Sequence, residues 1–182
     1  NIIICLSLSK LGLPGLRTGI VVAHEKVIRA VTAANAILSL APGSAGPGLV
    51  SDMVGDRSIL DLSDNVIRPY YRQRVKQAVS WVNTALEGYP CRVHTPEGAI
   101  FLWLWFEGLP ITSEKLYQRL KSRGVLVIAG EHFFPGLEGE WGHRHECIRI
   151  SYAQDPASVE AGIHIIGEEV ARAYDSAKAK SV

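Results

Sequence analysis

Residues Ile2, Ile3, Ile4, Cys5 and Leu6 form an unbroken apolar run that passes directly into Ser-Leu-Ser-Lys at 7–10 and a glycine-rich turn ending at Gly19. A short apolar run bounded by turn residues reads as a fully buried strand, the kind found in a parallel sheet whose neighbours come from elsewhere in sequence. Lys10 therefore stands where a buried strand meets a turn, an unusual place for a surface lysine. A free lysine amine has a pKa near ~10.4, so a nucleophilic one needs burial or a cationic neighbour to lower it. Arg17 can be that neighbour. Ser7 and Ser9 add hydroxyls, and Gly12, Gly15 and Gly19 let backbone approach a ligand, so the segment can cradle a phosphate beside an amine.

Further along, Thr18–Ala23 reads as a second strand, and Val27, Ala30, Val31 and Ala34 return at helical spacing in a helix starting near Glu25 and closing before Pro42. The stretch 41–48, Ala-Pro-Gly-Ser-Ala-Gly-Pro-Gly, is a turn-rich break between two helices. From Ser58 to Leu86 the pattern is helical again, with Val75, Val79, Val82 and Leu86 on one face. Pro69 lies inside it and predicts a break or kink near 67–70. Residues 92–106 read as strand, turn at 96–98, strand. Thr112 or Ser113 then caps a short helix closed by Gly124. Buried strands follow at 125–128 and 147–152. Asp155 and Pro156 open a last helix whose Val159, Ile163, Ile166, Val170 and Ala173 share an apolar face, and the tail from Lys178 is expected to fray.

Strands alternating with helices place the chain in the α/β class. The formal charge is +1, from 19 basic and 18 acidic residues, with no block of like charge, which disfavours nucleic acid and membrane surfaces as partners. The apolar run 99–106 is far short of the ~20 residues that span a bilayer. Three scattered cysteines, Cys5, Cys91 and Cys147, imply buried thiols rather than disulfides and a cytoplasmic address. His143, His145 and Cys147 alternate at i, i+2, i+4, but no cysteine pair or carboxylate completes a zinc set, so no metal is expected.

The Ser-x-Ser-Lys and Leu-Pro-Gly-Leu-Arg-x-Gly segments resemble the lysine segment of the fold type I pyridoxal-phosphate aminotransferases. Pro-Glu-Gly-Ala-Ile-Phe-Leu-Trp-Leu-Trp-Phe at 96–106, Leu-Tyr-Gln-Arg-Leu-Lys at 116–121 and Cys-Ile-Arg-Ile-Ser-Tyr at 147–152 extend the resemblance along the whole chain, but only to the C-terminal half of that family. The chain lacks an initiator Met, and the expectation is of a truncation, with the other half upstream. The resemblance implies residues 1–57 as the end of a large PLP-binding domain, 58–88 as an interdomain helix and 89–182 as a small α+β domain.

It also implies roles. Lys10 would carry pyridoxal 5′-phosphate as a Schiff base and move the proton in catalysis. Ser7 and Arg17 would hold the phosphate, with Ser9 able to take part of the work of Ser7. Arg149 would take the α-carboxylate of an amino acid or 2-oxo acid; strand alternation sets it on one face with Cys147 and Ser151, opposite Ile148 and Ile150. Gly98 would lie where backbone approaches that carboxylate. The plain alternatives are a solvated turn arginine at 17, an edge-strand arginine in water at 149, a hairpin glycine at 98 and a surface loop at 41–48. Gly130 and Phe133 resemble the family's Pro-Gly-x-x-Phe loop, with Ala129 where proline is usual. The implied activity is amino-group exchange between a small amino acid, valine or alanine, and a 2-oxo acid such as pyruvate, in a homodimer. Two other readings stand beside it: a PLP-binding, non-catalytic effector domain of a transcription regulator, and a fragment inactive by itself.

Overall fold

The computed structural model describes residues 2–11, 15, 17–41 and 43–179. The expected roles of Gly12, the Leu-Pro at 13–14 and Pro42, and the fraying of the last three residues, lie outside them. The chain divides into two compact units, one up to Tyr70 and one from Tyr71.

In the first unit, β1 (Ile4–Ser7) is followed by a single 3-10 turn, Leu8–Leu11, and β2 (Gly19–Val22). The two strands pair antiparallel, Ile4 opposite Val22 and Ser7 opposite Gly19. The connection between them is too short for the crossover that parallel pairing requires. Both strands are largely exposed, with Ile4 47% and Leu6 54% accessible, where the apolar run predicted burial. Apolar composition marks the strand, whereas burial depends on what packs against it. Cys5 is exposed for the same reason.

Helix α1 runs Glu25–Ser39, capped by His24, whose Nδ1 accepts from the Lys26 amide at 3.2 Å. Helix α2 (Ala45–Gly55) begins inside the stretch read as a turn-rich break. Its Gly-Pro-Gly falls in the first turn, where proline's missing N–H has no intrahelical partner to lose. Gly46 is there because a Cβ at that position would overlap the side chain of Thr18. Helix α3 (Ser58–Leu62) passes through a π turn, Ser63–Ile67, into α4 (Arg68–Ala85). The widened turn ends just before Pro69, whose ring would otherwise press on the carbonyl one turn back.

The second unit is an antiparallel sheet of order β3-β4-β6-β5, built from Cys91–Val93, Phe101–Phe106, Cys147–Ser151 and Ile128–Ala129, with helices on one face. Leu102, Leu104 and Phe106 of β4 and Ile148 and Ile150 of β6 pack against Ala78 and Val82 of α4, Leu116 and Leu120 of α5 (Ser113–Ser122), and Val159, Ile163 and Ile166 of α6 (Pro156–Lys178). The caps are those expected: Thr112 accepts from the Lys115 amide, and Asp155 accepts from Ala157 and Ser158 with Pro156 at the first helical position. The predicted strand at 125–128 shrinks to Ile128–Ala129, because Val125, Leu126 and Val127 find no ladder partner among the described residues.

Candidate active site

Lys10 sits in the 3-10 turn that follows β1, and its side chain is exposed in this chain. Ser7 and Arg17 each meet Ser9, the residue before Lys10 in the chain. The Ser9 amide donates to Ser7 Oγ at 3.3 Å, and Arg17 Nη1 donates to Ser9 Oγ at 3.5 Å. Ser9 is thus the link between Ser7 and Arg17. Arg17 adopts φ 48°, in the left-handed region that costs a non-glycine residue roughly 1–2 kcal/mol. Backbone held in such a region clusters at ligand-binding turns.

In the second unit, register decides which side chains share the open face of the sheet. Arg149 stands opposite Trp103 on one side and Ile128 on the other, and Phe101 stands opposite Ser151. The alternation read from Cys-Ile-Arg-Ile-Ser therefore holds: Ile148 and Ile150 enter the core, and Arg149 lies half-buried on the other face. Its guanidinium carbon lies over the ring of Phe101 at 4.1 Å and over that of Phe133 at 4.8 Å. Among the described residues no carboxylate or carbonyl accepts a hydrogen bond from it. The face continues into an aromatic cluster: Phe133 and Phe134 meet Trp103 edge-on, and His143 lies 4.8 Å from the ring centroids of both Trp105 and Trp141.

Phe133 is delivered by the 3-10 turn Gly130–Phe133. Gly130 is buried, and a Cβ there would lie 2.8 Å from Arg144 O, Cys147 Cβ and Cys147 O. Glu131 faces the next turn at His145, whose Nδ1 is 2.8 Å from Glu131 Oε2 without hydrogen-bond geometry and whose Nε2 accepts from Arg144 Nε at 2.8 Å. Cys147 lies under this turn, its Sγ 3.2 Å from the carbonyl of His143, and burial pushes the thiol up to about 11. Among the described residues no group of histidine, cysteine and carboxylate side chains forms a metal cluster. Gly98 is exposed, and the positive φ of its loop, 61°, falls on Ala99 rather than on the glycine. Local sequence pattern does not encode the contact of Phe101 and Phe133 with Arg149. Strand alternation places Phe101 and Arg149 on open faces, but only the register makes them diagonal neighbours.

Residues 1–166 match the family described as aminotransferase class I and II. The chain belongs to that family. It is 52% identical to valine–pyruvate aminotransferase of Escherichia coli (strain K12), over 96% of this chain and 42% of that protein. The crystal structure of valine-pyruvate aminotransferase from Salmonella typhimurium LT2 superposes with a TM-score of 0.87 at 52% identity, covering 96% of this chain and 45% of that one. A putative amino-acid aminotransferase from Psychrobacter arcticum 273-4 gives the same TM-score at 50% identity, over 95% of this chain and 40% of its own. The chain thus spans about two-fifths of the length of these relatives, with the fold of the matching part of a fold type I aminotransferase. Pyridoxal phosphate is the cofactor of this family. The donor set between Ser7 and Arg17 fits it: two hydroxyls and a guanidinium suit a phosphate ester, and the neighbouring amine suits an aldehyde. Among the described residues no helix is long and apolar enough to cross a membrane.

Proposed function

We propose that the whole protein moves an amino group between a small amino acid, valine or alanine, and a 2-oxo acid such as pyruvate. The observation that supports this most is the Ser7–Ser9–Arg17 linkage around the Lys10 turn, in a chain 52% identical to a valine–pyruvate aminotransferase. When bound, pyridoxal phosphate supplies an aldehyde and an electron sink. Lys10 Nζ would be the attachment point for the cofactor's aldehyde, and its free amine would be the base that takes the proton from the substrate α-carbon. The Arg17 guanidinium and the Ser7 hydroxyl hold the phosphate through charge-assisted bonds worth roughly 1.5–3 kcal/mol each. Ser9 keeps those two groups together.

In the second unit, Arg149 takes the substrate carboxylate. A half-buried guanidinium packed on two rings, with its N–H groups turned to no protein acceptor among the described residues, suits a bidentate anion. Gly98 stands in a loop where a Cβ would meet nothing within 4 Å, and its backbone is assigned to the approach of the same carboxylate. Residues 58–88 are assigned as the interdomain helix, and the protein as a cytoplasmic homodimer. A non-catalytic effector domain is the weaker reading, since the named relatives are aminotransferases.

The test uses the full-length protein loaded with pyridoxal phosphate. Borohydride reduction is expected to fix a pyridoxyl mass on the peptide containing Lys10, and Lys10→Ala to abolish both label and amino transfer. A label on another lysine, or turnover surviving in Lys10→Ala, overturns the assignment.

A further inference from the structure

Arg149 is the one cation on the open sheet face held by aromatic rings from two different elements among the described residues, and each ring has its own anchorage. Phe101 is fixed by the β4–β6 ladder, where it pairs with Ser151, diagonal to Arg149. Phe133 is fixed by its turn: Gly130 is buried where a Cβ would collide with Cys147 and the Arg144 carbonyl, Glu131 Oε2 lies 2.8 Å from His145 Nδ1, and the ring itself meets Trp103 edge-on at 5.1 Å. A guanidinium lying over such rings is attracted to their π faces and loses its freedom to swing. With its central carbon close to two rings, the guanidinium is approached by a ligand through the N–H groups that the rings leave uncovered.

We propose that Phe101 and Phe133 are positioning residues for Arg149, holding its guanidinium in a fixed plane so that its N–H fork meets a substrate carboxylate already oriented. This rests on the reading of Arg149 as the carboxylate seat, and deepens it. The rings do not touch the reacting atoms in this account. Their effect is confined to binding of the carboxylate and passes entirely through Arg149.

The experiment uses the full-length holoenzyme and two simple probes. Isobutyrate has the carboxylate without the amine, and its inhibition constant reports the seat; isobutylamine has the amine without the carboxylate, and its single-turnover rate reports the chemistry. Phe101→Leu and Phe133→Leu keep apolar volume and remove the π face. Each is expected to weaken isobutyrate inhibition about 3- to 10-fold, the range of one cation–π contact. KM for the amino acid rises in step, while kcat and the isobutylamine rate stay within about twofold. Phe133→Tyr restores wild-type inhibition, and Phe133→Leu adds nothing in an Arg149→Gln background. If Phe101→Leu does not fold, Phe133→Leu still carries the test, because Phe133 is 37% exposed.

Three results overturn the proposal, and they differ. If Arg149→Gln weakens inhibition but neither leucine variant does, the rings do not position the arginine and the seat itself stands. If Phe133→Leu costs as much without Arg149 as with it, the ring acts on the ligand directly. If Arg149→Gln leaves inhibition unchanged, the carboxylate seat is elsewhere and the proposal falls with that reading.

Discussion

The hydroxyl of Tyr152 donates a 2.7 Å hydrogen bond to the carbonyl of Ala99, a residue held at φ 61°. Tyr152 is buried, edge-on to Tyr71, and its own amide donates to the Ile100 carbonyl. Two bonds from one residue thus pin the loop that carries Gly98 to the end of β6.

Removing the hydroxyl leaves the Ala99 carbonyl without that donor and lets a left-handed alanine relax. Tyr152→Phe is therefore expected to destabilise the protein by about 1 kcal/mol. Ala99→Gly, which has no Cβ to strain, is not expected to lower stability. Denaturant unfolding followed by fluorescence checks both. Equal stability of Tyr152→Phe and the parent would show that the bond holds nothing.

The turn at Gly130 is expected to be intolerant of any side chain. In Gly130→Ala the new Cβ would meet two backbone oxygens and the Cys147 Cβ at 2.8 Å, and backbone cannot step aside as a flexible side chain can. The turn must lift off β6, at a cost of roughly 1–3 kcal/mol. Because the turn carries Phe133 onto Trp103, the near-ultraviolet circular dichroism should weaken as the melting temperature falls. An unchanged spectrum with an unchanged melting temperature would contradict the close packing.

Cys91 and Cys147 are expected to resist alkylation in the folded protein. Burial pushes the Cys91 thiol up to about 12 and the Cys147 thiol up to about 11, against a usual value near ~8.5. At pH 8 the thiolate fraction falls below that of an unfolded chain by on the order of a few hundredfold at Cys147 and a few thousandfold at Cys91, and iodoacetamide labelling should slow accordingly. The linked stability has a definite sign. Between about 8.5 and the two folded values the unfolded chain has lost protons that the folded chain keeps, so stability falls as pH rises through that window. Labelling of either residue at the denatured rate at pH 8 would refute the burial.

Much of the second unit could be read from residue order, because its signals are local. Asp155-Pro156 opens α6, Thr112 caps α5, Gly124 at φ 81° closes it, and the period of Val159, Ile163, Ile166 and Val170 marks the buried face. Capping and helical period depend on neighbours a few residues away, which the chain itself supplies. The break predicted at 41–48 is longer than the one the structure shows: Gly-Pro-Gly signals a turn, but a helix's first turn tolerates it, and Gly46 sits where a Cβ would overlap the Thr18 side chain.

Sequence alone determined the caps of α5 and α6, the side of β6 on which Arg149 stands, and the nearness of Ser7, Lys10 and Arg17 along the chain. Each follows from spacing along the backbone, where a two- or three-to-four-residue period dictates the face a side chain occupies. Tertiary structure alone decided that Ser9 joins Ser7 to Arg17, that β1 pairs antiparallel with β2, and that Phe101 and Phe133 meet over one guanidinium. Phe101 and Phe133 lie far from Arg149 in sequence, and register and close packing, which no local pattern encodes, bring the three together.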